Sequence, residues 1–336
     1  MKHRLALCMA GAALCAATPA FAGDGTNLIK MIPAESQIVM VFDVADARDS
    51  TLLQKGYDSL LAAKPDAKEK LAEIGLDPMK DIDTVLFAGS AKGDDFKDMA
   101  SMVIIVEGRI PKDKLATIPG VKATKYAGTT IWTKEDTDVA VLGDRLFFTK
   151  TGQMKAALDL ASGKAKAKSA DGPKGKKLRD AIAGTDTKKD LWMTVLVPDK
   201  AKKEMLAQQG MSANMVAVGV DFTADIGAML RIAMDTDANA QKAVSMIQAG
   251  LPQLAQMAGS IGLSKAARSV SVTADKANVD VTFTVTGDEL TSIMNTIKGV
   301  TGGGTGSGPT PPPPATMSRP PGNGAPPPAP ARARTP

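Results

Sequence analysis

The clearest alternation in the chain runs from Val279 to Thr286, where Val279, Val281, Phe283 and Val285 interleave with Asp280, Thr282, Thr284 and Thr286. A period of two with one apolar face predicts a strand that buries one side and wets the other. Ser269 to Ala274 should pair with it across an Asp275-Lys276 turn, and Val139 to Leu142 with Arg145 to Thr149 across Gly143-Asp144, each as a hairpin. Further strands are expected at Gln37 to Val44, Thr84 to Gly89, Met99 to Gly108, Lys122 to Tyr126, Thr129 to Thr133, Leu191 to Val197, Met215 to Phe222 and Ile226 to Met234. Helical spacing appears at Leu53, Tyr57, Leu60 and Leu61, at Leu71 and Ile74 before the stop Gly75, and at Leu290, Ile293, Met294 and Ile297. Each stripe is expected to face the core, with a partner-binding face as the alternative. The longest helix should run from about Ala238 toward Met257, capped by Thr236 or Asp237 and bent at Pro252, whose ring removes a backbone donor.

The order of elements repeats. Strand at Gln37, helices, strands at Thr84 and Met99 and a helix after Pro111 match strand at Leu191, helix after Pro198, strands at Met215 and Ile226 and a helix after Ala238. Each half then adds a hairpin and closes with a helix, at Gln153 to Leu160 and at Asp288 to Lys298. An internal duplication in element order is the expectation, which predicts an α+β fold of two similar antiparallel sheets with helices on one face. The halves are placed at 23–189 and 190–300.

Both termini change the picture. Lys2, His3 and Arg4, the apolar stretch Leu5 to Ala17 and the Ala20-Phe21-Ala22 site read as a signal peptide over 1–22, too short in its apolar part for a membrane anchor. From Gly302 the chain turns to Gly-Gly-Gly-Thr-Gly-Ser-Gly and holds 12 of the 21 prolines, so 301–336 is expected to be a disordered Gly/Pro-rich tail. No later apolar run reaches bilayer length, so no transmembrane segment is expected after cleavage. The expected location is exported, periplasmic or extracellular.

Cleavage also removes the chemistry. His3, Cys8 and Cys15 are the only histidine and cysteines in 336 residues. A mature chain without either excludes a Ser-His-Asp triad, a Cys nucleophile, a Cys/His metal centre and a disulfide framework. No P-loop, S-x-x-K or G-x-S-x-G occurs, and no cofactor is expected. Asp235, Asp237 and Asn239 have the first spacings of a calcium loop, but Ala240 and Met246 stand where its glycine and bidentate glutamate belong, so capping is the better account. Asp43, Asp46 and Asp49 read as caps and turns, and Asp94, Asp95 and Asp98 as loop acids. The methionines, including Met205, Met211 and Met215, read as core filler rather than copper ligands. No catalytic or metal residue is assigned. A paired-carboxylate hydrolase remains an alternative, disfavoured by the few aromatic residues available to stack a sugar.

Charge adds one candidate. Between residues 23 and 300 the chain carries 36 basic and 36 acidic residues, yet Lys155 to Arg179 holds eight bases against two acids. Within it Lys164, Lys166, Lys168, Lys174, Lys176 and Lys177 lie in a Gly, Ala and Ser-rich stretch that reads as a mobile loop between helices. These six are the candidate contacts for an anionic envelope polymer or lipid headgroups, with a solvated loop as the alternative. No aromatic platform interleaves them, so nucleic acid is not an expected partner. Oligomeric state is not legible.

Ile32-Pro33-Ala34-Glu35-Ser36 leading into an apolar strand, followed by Gly75-Leu76-Asp77-Pro78 and Asp81-Ile82-Asp83, resembles a group of uncharacterised secreted bacterial proteins built on a duplicated αβ domain. The resemblance implies export and fold, and brings no activity or site. The functional expectation is an exported, non-enzymatic structural or interaction protein of the bacterial envelope. The alternatives are a periplasmic binding module for an apolar or anionic ligand and the carboxylate-based hydrolase.

Overall fold

The computed structural model describes residues 25–293 apart from 93, 94, 117 and 119. The expected signal segment and the expected disordered tail, Asp94, and Met294 and Ile297 of the last stripe lie outside the described residues. In chain order the elements are α1 (Thr26–Ile29), β1 (Ile38–Asp43), α2 (Val44–Ala47), α3 (Thr51–Ala63), α4 (Pro65–Ile74), α5 (Pro78–Asp81), β2 (Ile82–Lys92), β3 (Asp95–Gly108), α6 (Lys112–Leu115), β4 (Lys122–Tyr126), β5 (Thr129–Lys134), β6 (Thr137–Leu142) and β7 (Arg145–Lys150). There follow α7 (Met154–Ala161), two 3-10 turns (Lys166–Lys168 and Pro173–Gly175), α8 (Lys176–Ala183), β8 (Leu191–Leu196), α9 (Asp199–Gln209), β9 (Ala213–Phe222), β10 (Ile226–Met234), α10 (Asp237–Ser260), α11 (Ser264–Ser269), β11 (Ser271–Asp275) and β12 (Asn278–Val285). A helix begins at 287.

Among the described residues, twelve strands join one antiparallel sheet, ordered β11-β12-β10-β9-β8-β1-β2-β3-β7-β6-β5-β4. The two half-sheets meet through β1 and β8, where Met40 stands opposite Met193 and Val41 opposite Trp192. Outward from that seam, β1-β2-β3-β7-β6 on one side follows the same succession as β8-β9-β10-β12-β11 on the other, and the β4–β5 hairpin is an addition of the first half. The expected α+β antiparallel architecture is therefore present, with its halves fused edge to edge.

Strand parity divides the side chains. Val39, Val41, Leu86, Ile105, Phe147 and Trp192 point to one face and pack with α1, α7 and α8 residues such as Leu28, Leu158 and Leu178. This cluster draws on both halves, so they share a core. The opposite parity gives two further clusters on the other face: Val85, Ile104, Val106 and Leu146 with Val44, Leu76 and Leu115, and Val279, Val272 and Met234 with Ala240, Ala243 and Val244 of α10. Helices thus cover both sides of the sheet, where the sequence led us to expect them on one face. A sheet with helices on both faces needs apolar residues at both parities, and β1, β3 and β8 supply them.

Local chemistry explains the ends of elements. Gly143, with φ of 66°, permits the two-residue turn between Leu142 and Arg145. Thr236 caps α10 by accepting from the Asn239 amide at 3.1 Å, and Asp235 binds the Asn239 side chain at 2.6 Å, so these residues do the capping expected of them. Pro252 lies inside α10. Asp95 and Asp98, expected in a loop, lie on β3 because the β2–β3 hairpin extends past Met99. The stripe on α3 is displaced: Leu52 is its buried residue, while Leu53, Tyr57 and Leu61 are half-buried and Leu60 is exposed. The helix meets the core only at its first turn, where Ser50 caps Leu53 and its hydroxyl donates to the Thr223 carbonyl at 3.3 Å.

Gly250 of α10 has open space where a Cβ would stand. Gly250→Ala should stabilise the protein by about 0.5–1 kcal/mol through helix propensity, read as an upward shift of the urea midpoint at unchanged slope.

Candidate functional site

The lysine-rich segment is a pinned shelf, not the mobile loop expected from its composition. The Ala34 amide donates to the Lys168 carbonyl and the Ala170 amide to the Ile32 carbonyl, both at 2.9 Å, forming a bridge between Pro33 and Ser169. The Ser169 hydroxyl donates to the Lys166 carbonyl at 2.7 Å, and the Arg179 guanidinium donates to the carbonyls of Ala170 and Gly172 at 2.7 and 2.6 Å. Ser169, Ala170, Gly172 and Gly175 are buried, and Gly172 and Gly175 sit where a Cβ would strike the preceding backbone. The six lysines stay exposed on this framework. Lys176 pairs with Asp180 at 2.5 Å, and Lys164, Lys166 and Lys168 stand along the first 3-10 turn and its approach.

Lys174 and Lys177 meet a cleft of about 410 Å³ that the other four do not line. Its remaining walls come from the segment before β1, the end of β8 and the start of α9, and include Glu35, Ser36, Gln37 and Asp199. Gln37 is fixed: its side-chain oxygen accepts from the Ala91 main-chain amide at 2.9 Å and its main-chain N–H donates to the Gly89 carbonyl at 2.8 Å. Ser36 is 1% exposed, yet its hydroxyl has no hydrogen-bond partner among the described residues. A buried hydroxyl left unmade costs about 1–3 kcal/mol, which marks this position as unusual. Glu35 and Asp199 were not found from the sequence. They come from segments about 160 residues apart, and no local spacing announces their meeting with the lysines.

On the far side of α8 lies a second, larger cleft of about 530 Å³, lined by Asn27, Lys30, Asp171, Arg179, Thr185 and Thr187 among others. Two of its polar groups are committed to the fold: Thr185 binds Thr194 at 2.6 Å, and Arg179 holds the shelf.

The carboxylates gather elsewhere, at the end of the sheet. Asp43 caps α2 by accepting from the Asp46 amide at 3.2 Å. Burial, with the neighbouring charges of Asp46 and Asp190, pushes its pKa up to about 6. Burial likewise raises Asp190, whose carboxylate accepts from the Phe222 amide at 2.6 Å. Asp43 is almost wholly enclosed and lines neither cleft. A raised carboxyl pKa is what a general acid requires, but a catalytic acid must also reach its substrate, and this one is closed off.

No protein-family model and no curated protein matches the chain. Among solved structures, it is similar in fold to crystal form III of TP0453, with a TM-score of 0.50 and 10% identity over 80% of this chain and 97% of that one. Crystal forms I and IV of the same protein align with TM-scores of 0.46 and 0.44 at 11% and 9% identity, covering 80% of this chain and 96% and 95% of theirs. At such identity the likeness extends to the fold alone. No helix among the described residues is long and apolar enough to cross a membrane.

Proposed function

We propose that the protein is an exported, non-enzymatic interaction protein of the bacterial envelope that engages an anionic polymer or lipid surface through its lysine shelf. The supporting observation is the mounting of Lys164, Lys166, Lys168, Lys174, Lys176 and Lys177 on a backbone tied to the chain before β1 and braced by Arg179. A shelf held in place loses less conformational entropy on binding than a free loop, so its charges act together. Cosedimentation at low salt with phosphatidylglycerol vesicles, and in parallel with an anionic polysaccharide, tests this. The combined Lys164→Gln, Lys166→Gln, Lys168→Gln, Lys176→Gln and Lys177→Gln variant should bind at least tenfold more weakly to whichever surface the wild type prefers. Binding of the wild type should fall as salt rises. Equal binding by variant and wild type removes the proposal.

An apolar ligand is favoured by one observation. Met40, Met193, Val218 and Leu230 form a half-buried strip across the middle of the sheet on the face opposite Trp192.

A further inference from the structure

The cleft beside the shelf carries both signs of charge, and they do not cancel. Lys174 and Lys177 stand on the wall made by the second 3-10 turn and α8; Glu35 and Asp199 stand on walls made by the chain before β1 and the start of α9. Among the described residues Lys174, Lys177 and Glu35 belong to no ion pair, and Asp199 reaches only Lys202, at 3.9 Å. All four side chains are exposed at the mouth of the cleft, so both signs of charge are open to a ligand. A ligand with separated charges of its own matches that lining better than a simple anion, which Glu35 and Asp199 would repel.

Size and the buried hydroxyl narrow the class. A cavity of about 410 Å³ exceeds what an inorganic ion fills and lies in the range of small-molecule sites. A free amino acid with a small side chain would leave most of that volume empty. A short peptide with unblocked ends places an ammonium and a carboxylate several ångströms apart, with amide groups between them. The Ser36 hydroxyl, enclosed and without a protein partner, can donate to or accept from such an amide.

We infer that this cleft binds a short peptide with free termini, its carboxylate held by Lys174 and Lys177 and its ammonium by Glu35 and Asp199, with Ser36 bonding the backbone between. The site differs from the anionic surface proposed above, although Lys174 and Lys177 border both.

The test is calorimetric titration of the full chain with trialanine, N-acetyl-trialanine and trialanine amide. Trialanine should bind, and blocking either end should weaken it at least tenfold. Glu35→Gln should weaken trialanine at least fivefold while leaving vesicle or polysaccharide binding unchanged, and Lys177→Gln should weaken it similarly. The Lys164→Gln, Lys166→Gln, Lys168→Gln variant should bind trialanine as the wild type does. Ser36→Ala, which removes an unpaired buried hydroxyl, should lower affinity severalfold while raising the melting temperature. The inference is overturned if none of the three peptides binds, or if N-acetyl-trialanine binds as well as trialanine. The second result would leave a plain anion site, and the envelope reading would survive either outcome on its own assay.

Discussion

Gly175→Ala is expected to lower the melting temperature by roughly 10 °C, an effect on the order of 3 kcal/mol for a protein of this size. The cause is backbone crowding rather than dihedral strain. Gly175 precedes α8 at φ of −85° and ψ of 5°, a conformation any residue adopts. A Cβ there would overlap the carbonyl oxygen, carbonyl carbon and Cα of Ala170. None of these atoms is the end of a flexible side chain. Relief requires the second 3-10 turn to move away from Ala170, and that strains three neighbours together: the Ala170 amide bond to Ile32, the Arg179 bonds to Ala170 and Gly172, and the packing of Leu178 in the core. The same variant should gain hydrogen exchange at the Ala170 amide and lose affinity for anionic surfaces, because the shelf would no longer be held. A calorimetric midpoint within 2 °C of the wild type would show that the turn yields without cost. Binding to anionic vesicles would then separate a loosened shelf from an intact one.

Most of the sheet was legible because strand signals are local. Nearly all of the strands carry their own run of alternating or continuous apolar residues, the exposed β4 excepted, and turns such as Gly143-Asp144 announce the hairpins. The pairing of β1 with β8 was not legible. It joins strands about 150 residues apart, and nothing within either run names its partner. For the same reason the halves could not be recognised as one sheet with one shared core. The helices were less certain than the strands: the α3 stripe has the spacing of a core face, but Leu52 is its buried residue, and the Ser50 cap at its start bonds the turn between β9 and β10.

The site followed the same division. The lysines stood out as a run of charge, which is a property of the sequence alone. Their mounting depends on main-chain bonds from Ala34 and to Ile32, which composition cannot express, and a Gly, Ala and Ser-rich segment reads as loose until its partners are known. Glycines that looked like flexibility at 172 and 175 are instead places where backbone meets backbone. Ser36 was noticed only as part of a motif before a strand; its isolation is a property of the packing around it.

Asp43→Asn should stabilise the protein at pH 8 by about 2–3 kcal/mol and have little effect at pH 4. The carboxyl has a pKa of about 6 in the folded state against an ordinary 3.8, raised chiefly by burial and further by Asp46 and Asp190. A raised folded pKa means that the native chain holds the proton more tightly than the unfolded one. Between roughly pH 4 and pH 6 the native state therefore binds more protons, and stability falls as pH rises through that window. Above it the full cost of the buried charge remains. Asparagine is neutral at every pH and keeps an oxygen to accept from the Asp46 amide, so the α2 cap survives. Asp235 and Glu289, held below the ordinary carboxylate range by their hydrogen bonds, act in the opposite sense, losing stability on acidification. The diagnostic quantity is thus the difference between variant and wild type, measured by urea unfolding from pH 4 to pH 8, which cancels those contributions. That difference should grow through pH 5 to 6 and then level off. A constant difference across the range would mean that Asp43 ionises in the fold as it does in the unfolded chain, and its burial would then carry no electrostatic cost.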